Sequence, residues 1–180
     1  QGTGSIRADW GVSAGTQTRG IELNQSTDTV LSGSILVHNG SSQRRNLSFV
    51  KKGAGTLTLT GGLGSSATAG GAVASLNFDI QEGAIQLGNG TTNPIYVNAA
   101  NWDSASTLNI ASGAKLRFMS SSDFTWSRAI TGGSGTVEIT NDGTLGEGNV
   151  IFTANNSGFS GNIDLNAGSL RMGPSLGSGT

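Results

Sequence analysis

The sequence predicts an all-β fold, a right-handed parallel β-helix of roughly six to seven rungs, on three observations. Short segments alternate apolar and polar residues with the period of a half-buried strand, as at Leu57 and Leu59 in KGAGTLTLTG, residues 52–61. These segments come in pairs hinged at glycine. The pattern returns as FDIQEGAIQLG, with Phe78, Ile80, Ile85 and Leu87 about Glu82 and Gly83, and as IDLNAGSLRMG, with Ile163, Leu165, Leu170 and Met172 about Gly168. The first apolar residue after each hinge (Ile35, Leu57, Ile85, Leu116, Val137, Leu170) recurs at separations of 22, 28, 31, 21 and 33 residues. A repeat in that range means a stacked solenoid or a propeller, and Asn-Gly or Asp-Gly hairpin turns between matched strands are scarce, which favours the solenoid.

The 180 residues make a single domain's worth of chain. Apolar residues are only 34 % of it, but the 30 glycines belong in usual counts with the apolar set. Charged residues are 12 % and the net charge is −1, so the basic excess that nucleic-acid binding needs is missing. There is no cysteine, which excludes disulfides, thiol nucleophiles and cysteine metal sites. No run of eighteen apolar residues appears, so direct membrane insertion of this segment is not expected. The chain begins at Gln1 without a leader pattern and reads as a piece of something longer.

Along the chain, residues 1–20 hold Trp10 among glycines and polar residues and are expected to be irregular or a partial first rung. The β-helix is expected over 21–180. Ile21 and Leu23 open it, followed by Val30, by Ile35 and Val37 after Gly33, and by Leu47 and Phe49. Residues 61–75 are low-complexity Gly, Ser and Ala, read as a surface loop. Strands resume at Leu76 to Leu87 and again at Ile95 to Val97. Leu108, Ile110, Leu116 and Phe118 form a hinged pair about Gly113, and Ile130, Val137 and Ile139 repeat it about Gly133 and Gly135. Val150 to Phe152 add a strand before Ile163 to Met172. Leu57 and Val137 lie 80 residues apart and Ile85 and Leu170 lie 85 apart, which predicts a larger unit occurring twice.

With KKGAGTLTLTG, EGAIQLGNG and NNSGFSGNIDLNAGSLRMGPSLGSGT in view, the chain resembles the autotransporter-associated β-strand repeat, also called the passenger-associated transport repeat. In that family a KxGxGxLxLxG pair is followed by an Asn-rich Ser-Gly-Gly turn and an xxGxLxLG pair ending in LGxG. Residues 155–180 fit its latter half, with Phe159 where tyrosine is usual. The first copy fits at 52–61 and 79–89, with the Gly, Ser and Ala stretch in place of the turn. Residues 132–140 lack the lysine, and 141–153 add a rung. The resemblance implies an extracellular passenger segment at the cell surface of a Gram-negative bacterium, carried across the outer membrane through a C-terminal barrel. It implies a stalk and no catalytic residues.

His38 is the single histidine, placed in an Asn-Gly turn, which leaves a Ser-His-Asp triad or a histidine metal site without its further members. The Gly53 and Gly55 pair lacks the third glycine and the following helix of a dinucleotide fingerprint. No cofactor is expected. Many β-helix enzymes cleave polysaccharides with paired carboxylates, and here Asp79 and Asp164 hold equivalent places in two repeats while Glu138 and Asp164 could lie on neighbouring rungs. Outward positions of any β-helix produce such pairs by accident, and solubility accounts for them. Residues 1–60 carry six basic and three acidic groups, a local +3 that includes Arg44, Arg45, Lys51 and Lys52, against −4 for the remainder. Those four are candidate contacts for an anionic glycan or a lipid headgroup, and Trp102 and Trp126, with Phe124, are candidates for stacking on sugars. The opposing readings are charges that guard a rung edge and tryptophans that cover a corner of the core. The expected function is a non-enzymatic structural segment, a stalk or scaffold for adhesion or a surface fibre. A glycan-binding adhesin module and a polysaccharide-active enzyme are the alternatives. End-to-end self-association, or continuation of a longer β-helix, is expected from the terminal rungs.

Overall fold

The computed structural model describes residues 6–8, 15–37, 43–65, 75–92, 96–97, 106–140 and 149–172. Its first half holds β1 (Ile6–Ala8), β2 (Gly15–Asn24), β3 (Thr29–Leu31), β4 (Ile35–Val37), β5 (Gln43–Lys52), β6 (Thr56–Leu59), β7 (Leu63–Ser65), β8 (Leu76–Ile80) and β9 (Ala84–Leu87). The second half holds β10 (Tyr96–Val97), β11 (Leu108–Ile110), β12 (Lys115–Phe118), β13 (Phe124–Trp126), β14 (Gly132–Gly133), β15 (Thr136–Thr140), β16 (Asn149–Phe152), β17 (Asn162–Ala167) and β18 (Ser169–Met172). No helix occurs among the described residues.

Every strand pairing among the described residues is parallel, and each joins a strand to its counterpart one turn away. The sheets run β1-β4-β7-β10, β14-β11-β8-β5-β2, β17-β15-β12-β9-β6-β3 and β13-β16-β18. This is an all-β parallel solenoid of about four turns: the first three sheets each contribute one strand to β1–β3, β4–β6, β7–β9 and β10–β12. The expected six to seven rungs exceed that. The expectation gave each hinge residue its own rung, but only Leu57, Ile85, Leu116 and Val137 share a ladder, while Ile35 lies on β4 and Leu170 on β18.

Of the two pairs behind the larger 80-to-85-residue unit, Leu57 and Val137 share that ladder, but Ile85 and Leu170 lie in different sheets. FDI and AIQL form β8 and β9, whereas IDL and SLRM form β17 and β18, one sheet further round the turn. Identical local patterns therefore occupy different faces. Leu63–Ser65, inside the stretch read as a surface loop, form β7, with Leu63 buried beside Ile35. Val30 points outward, since Thr29 and Leu31 are the partners of Leu57 and Leu59.

The core is built from ladders. Leu57, Ile85, Leu116 and Val137 stack in one, Leu59, Leu87, Phe118 and Ile139 in the next, and Phe49, Phe78 and Leu108 in a third. All are buried. Burying each such side chain contributes about 1.5–3 kcal/mol, which is what holds together strands that, β5 apart, are only three to five residues long. Phe118 is an aromatic hub, with Trp126 and Phe152 edge-on at 5.5 Å and Phe124 at 6.0 Å.

Turns stack as closely as strands. A Cβ at Gly53, where φ is +75°, would overlap the Gln25 carbonyl of the preceding turn, and one at Gly55 would overlap that of Thr27. The Gly-x-Gly hinge is thus a requirement of turn-on-turn approach as well as of bending. Polar side chains clamp one turn to the next: Asp28 Oδ1 accepts from Thr56 N at 2.7 Å, Asn77 Oδ1 from Thr107 N at 2.9 Å, and Asn156 Oδ1 from Ile130 N at 2.7 Å. Backbone donors that leave the ladders at the corners are satisfied this way.

Candidate functional site

The densest set of charged groups among the described residues lies on the outer face of the six-stranded sheet. In the triplets IQL, LRF, VEI and IDL the apolar residues face inward, so the pleat turns Gln86, Arg117, Glu138 and Asp164 outward. Parallel register then stacks them, Gln86 beside Arg117, Arg117 beside Glu138, and Glu138 beside Asp164. Arg117 Nε and Nη2 each lie 3.0 Å from Glu138 Oε2, and Lys115 Nζ lies 3.4 Å from the same oxygen. Asn166 Nδ2 donates to Glu138 Oε1 at 2.9 Å, and Arg117 Nη1 donates to Gln86 Oε1 at 3.3 Å.

Glu138 is 8 % exposed, although its position faces outward, because these longer side chains cover it. Burial pushes its carboxyl upward, and the hydrogen bond and charge of Arg117, with Lys115, outweigh that and hold it below the usual carboxylate range. The carboxylate is ionised and its oxygens are occupied by donors from the chain itself.

Asp79, expected to be equivalent to Asp164, stands on β8 in the neighbouring sheet. It accepts from Gln81 Nε2 at 2.6 Å and Asn109 Nδ2 at 2.8 Å. Asp123 accepts the Asn149 backbone N–H at 2.9 Å and its side-chain amide at 2.7 Å, and these bonds lower its pKa.

Among the expected glycan contacts, Lys51 and Trp126 are buried. Arg44 and Arg45 lie on β5 opposite Thr16 and Gln17 of β2. Lys51, on the same strand, takes an inward position between Leu23 and Ile80 and is fully buried. Its ammonium bends to the corner and donates to the carbonyls of Lys52 at 2.8 Å, Gly53 at 2.7 Å and Glu82 at 3.3 Å. Burial lowers its pKa against the opposing influence of Glu82 and Asp28. Lys52 faces out and pairs with Glu22 at 2.9 Å. Trp126 is 2 % exposed and packs on Phe118 in the core. Trp102 and His38 lie outside the described residues.

Among the described residues no group of three or more His, Asp or Glu side chains is placed to hold a metal ion. Lys115, Arg117 and Asn166 were not expected as partners of Glu138. Their signal lies in the sequence, a charged residue at the centre of apolar-x-apolar triplets, but only the register shows which triplets touch.

Comparison with known proteins adds no relative: no family model matches the chain, and no match is found among the curated proteins or the solved structures.

Proposed function

We propose that this chain is a non-enzymatic structural segment, a rigid stalk or display scaffold wound right-handed as crossovers between parallel strands are. The observation that carries the reading is the state of Glu138. A glycosidase needs one carboxyl kept protonated as general acid and another free to act as base or nucleophile. Glu138 is held ionised and takes its hydrogen bonds from Lys115, Arg117 and Asn166. Its neighbour Asp164 is exposed on an edge strand, outside any enclosed cleft that could hold a sugar between two carboxyls. The resemblance to autotransporter-associated repeats supports a stalk, and with it the proposal of a place outside the cell, at the surface of a Gram-negative bacterium.

Turnover on a panel of uronic-acid and neutral glycans tests the reading. The expected result is no cleavage, with a variant carrying Asp79→Asn, Glu138→Gln and Asp164→Asn indistinguishable from the parent. Cleavage by the parent that this variant loses overturns it in favour of a polysaccharide-active enzyme. Saturable retention of a particular glycan on an array, lost with Arg44→Ala and Arg45→Ala, would replace the bare scaffold by an adhesin module.

A further inference from the structure

We infer that Asn89 is an acceptor for N-linked glycosylation, taking a sugar delivered on a diphosphate leaving group. Asn-x-Ser/Thr, the acceptor signal of surface loops, occurs at Asn24, Asn39, Asn46, Asn89 and Asn155. Asn39 lies outside the described residues, and the fold separates the other four.

Asn46 is half-buried within β5, and its Oδ1 accepts from Ser75 N at 3.1 Å. Asn24 ends β2, in the ladder beside Lys52. Asn155 is exposed, and its Oδ1 accepts the Ser157 N–H at 2.9 Å. At Asn89 the Oδ1 takes three donors: Thr91 N at 3.1 Å, Thr91 Oγ1 at 2.9 Å and Thr92 N at 2.7 Å. Among the described residues it is the one such site whose hydroxyl reaches its own carboxamide.

Those bonds occupy the oxygen and leave Nδ2 as the reactive end of the amide. Asn89, Thr91 and Thr92 are exposed, while the turn beneath them is anchored to both adjoining turns. Gly88 N donates to the Leu59 carbonyl at 2.9 Å and Gly90 N to the Met119 carbonyl at 3.0 Å. A transferase thus meets amide and hydroxyl side by side and already ordered, so little conformational freedom is lost on docking. The Gly90 bond also preserves the acceptor. An Asn-Gly pair loses ammonia when the glycine nitrogen attacks the side-chain carbonyl carbon, and here that nitrogen is committed to Met119 in a buried residue.

In the transfer, Asn89 Nδ2 attacks the anomeric carbon of the sugar. The C–N bond forms as the C–O bond to the diphosphate breaks, the diphosphate leaves with the electron pair, and one amide proton passes to a base of the transferring enzyme. The modified side chain stands at the corner after β9, clear of the inward ladders. It gives a scaffold something to display, but it does not rest on the scaffold reading.

The test incubates the purified 180-residue chain in two arms and maps modified sites by peptide mass spectrometry. One arm holds a soluble asparagine glycosyltransferase with UDP-glucose, the other an oligosaccharyltransferase with a lipid diphosphate-linked oligosaccharide. Transfer in either arm to Asn89, ahead of Asn24, Asn46 and Asn155, is the expected result, and the productive arm identifies the donor. Thr91→Ala should abolish transfer to Asn89 and Thr91→Ser should retain it, both variants keeping the parent's circular dichroism. No transfer in either arm overturns the assignment, as does transfer to Asn89 that survives Thr91→Ala or transfer that favours another asparagine. Glycan turnover decides the scaffold reading whichever of these is found.

Discussion

Arg117 and Glu138 face each other across the β12–β15 pair, the guanidinium Nε and Nη2 both 3.0 Å from one carboxylate oxygen. Because the carboxylate is covered, removing its charge leaves two cations short of a partner. Glu138→Gln is expected to cost about 1–3 kcal/mol in a denaturant titration at neutral pH. The pH dependence has a fixed sign. The folded-state pKa of Glu138 lies below its unfolded value of 4.5, so its contribution is complete above that value and is lost as pH falls through the folded pKa. Glu138→Gln should therefore flatten the acid limb of the stability curve. An unchanged acid limb would show the pair to be energetically silent.

Ile85 and Gln86 test the register. Ile85 is 2 % exposed between Leu57 and Leu116, whereas Gln86 points outward with Arg117 against its side-chain oxygen. Ile85→Asp buries a carboxyl without a partner and is expected to cost several kcal/mol, about 2–7 on transfer scales. Gln86→Asp keeps an acceptor facing Arg117 and should shift the melting midpoint little. Comparable shifts for the two would contradict the assigned faces.

Gly113 and Gly133 separate backbone conformation from space. Both have positive φ, +81° and +98°, but a Cβ at Gly113 meets nothing within 4 Å, while one at Gly133 would overlap the Ile110 carbonyl of the neighbouring turn. Gly113→Ala is expected to cost about 1–2 kcal/mol, the left-handed penalty alone. Gly133→Ala should cost a further 1–3 kcal/mol or so from overpacking. Thermal melts of the two single variants would read the difference directly.

Lys51 and Lys52 are adjacent in sequence and opposite in chemistry. The Lys51 ammonium is buried on three carbonyls, and the Lys52 side chain is 35 % exposed beside Glu22. Brief treatment of the native protein with an amine-reactive ester, followed by peptide mass mapping, should label Lys52 and spare Lys51. Unfolding in denaturant should equalise them. Labelling of Lys51 in the native state at the rate of Lys52 would place it at the surface.

Strand formation and the inward or outward choice within each strand are legible in the sequence by itself, because pleating has a period of two and is decided by the nearest neighbours along the chain. Leu57 and Leu59, Phe78 and Ile80, and Leu116 and Phe118 all face the core as their alternation demands. Glycine hinges between strands are equally plain at Gly53, Gly83 and Gly113.

Only the tertiary structure decided which segments stack on which. Apolar-x-apolar triplets are interchangeable as local patterns, so FDI and IDL look alike, yet one lies on β8 and the other on β17, and Asp164 stands beside Glu138 instead of matching Asp79. The same indifference hid the number of turns, since a hinge looks alike at any corner of the solenoid. Lys51 and Trp126 show the rest of the reason. A charged or amphipathic side chain is placed by what waits at its far end, here three carbonyls at a corner and the ring of Phe118. Those partners come from the folded corner and from other strands, so residues that composition marked as surface contacts became parts of the core.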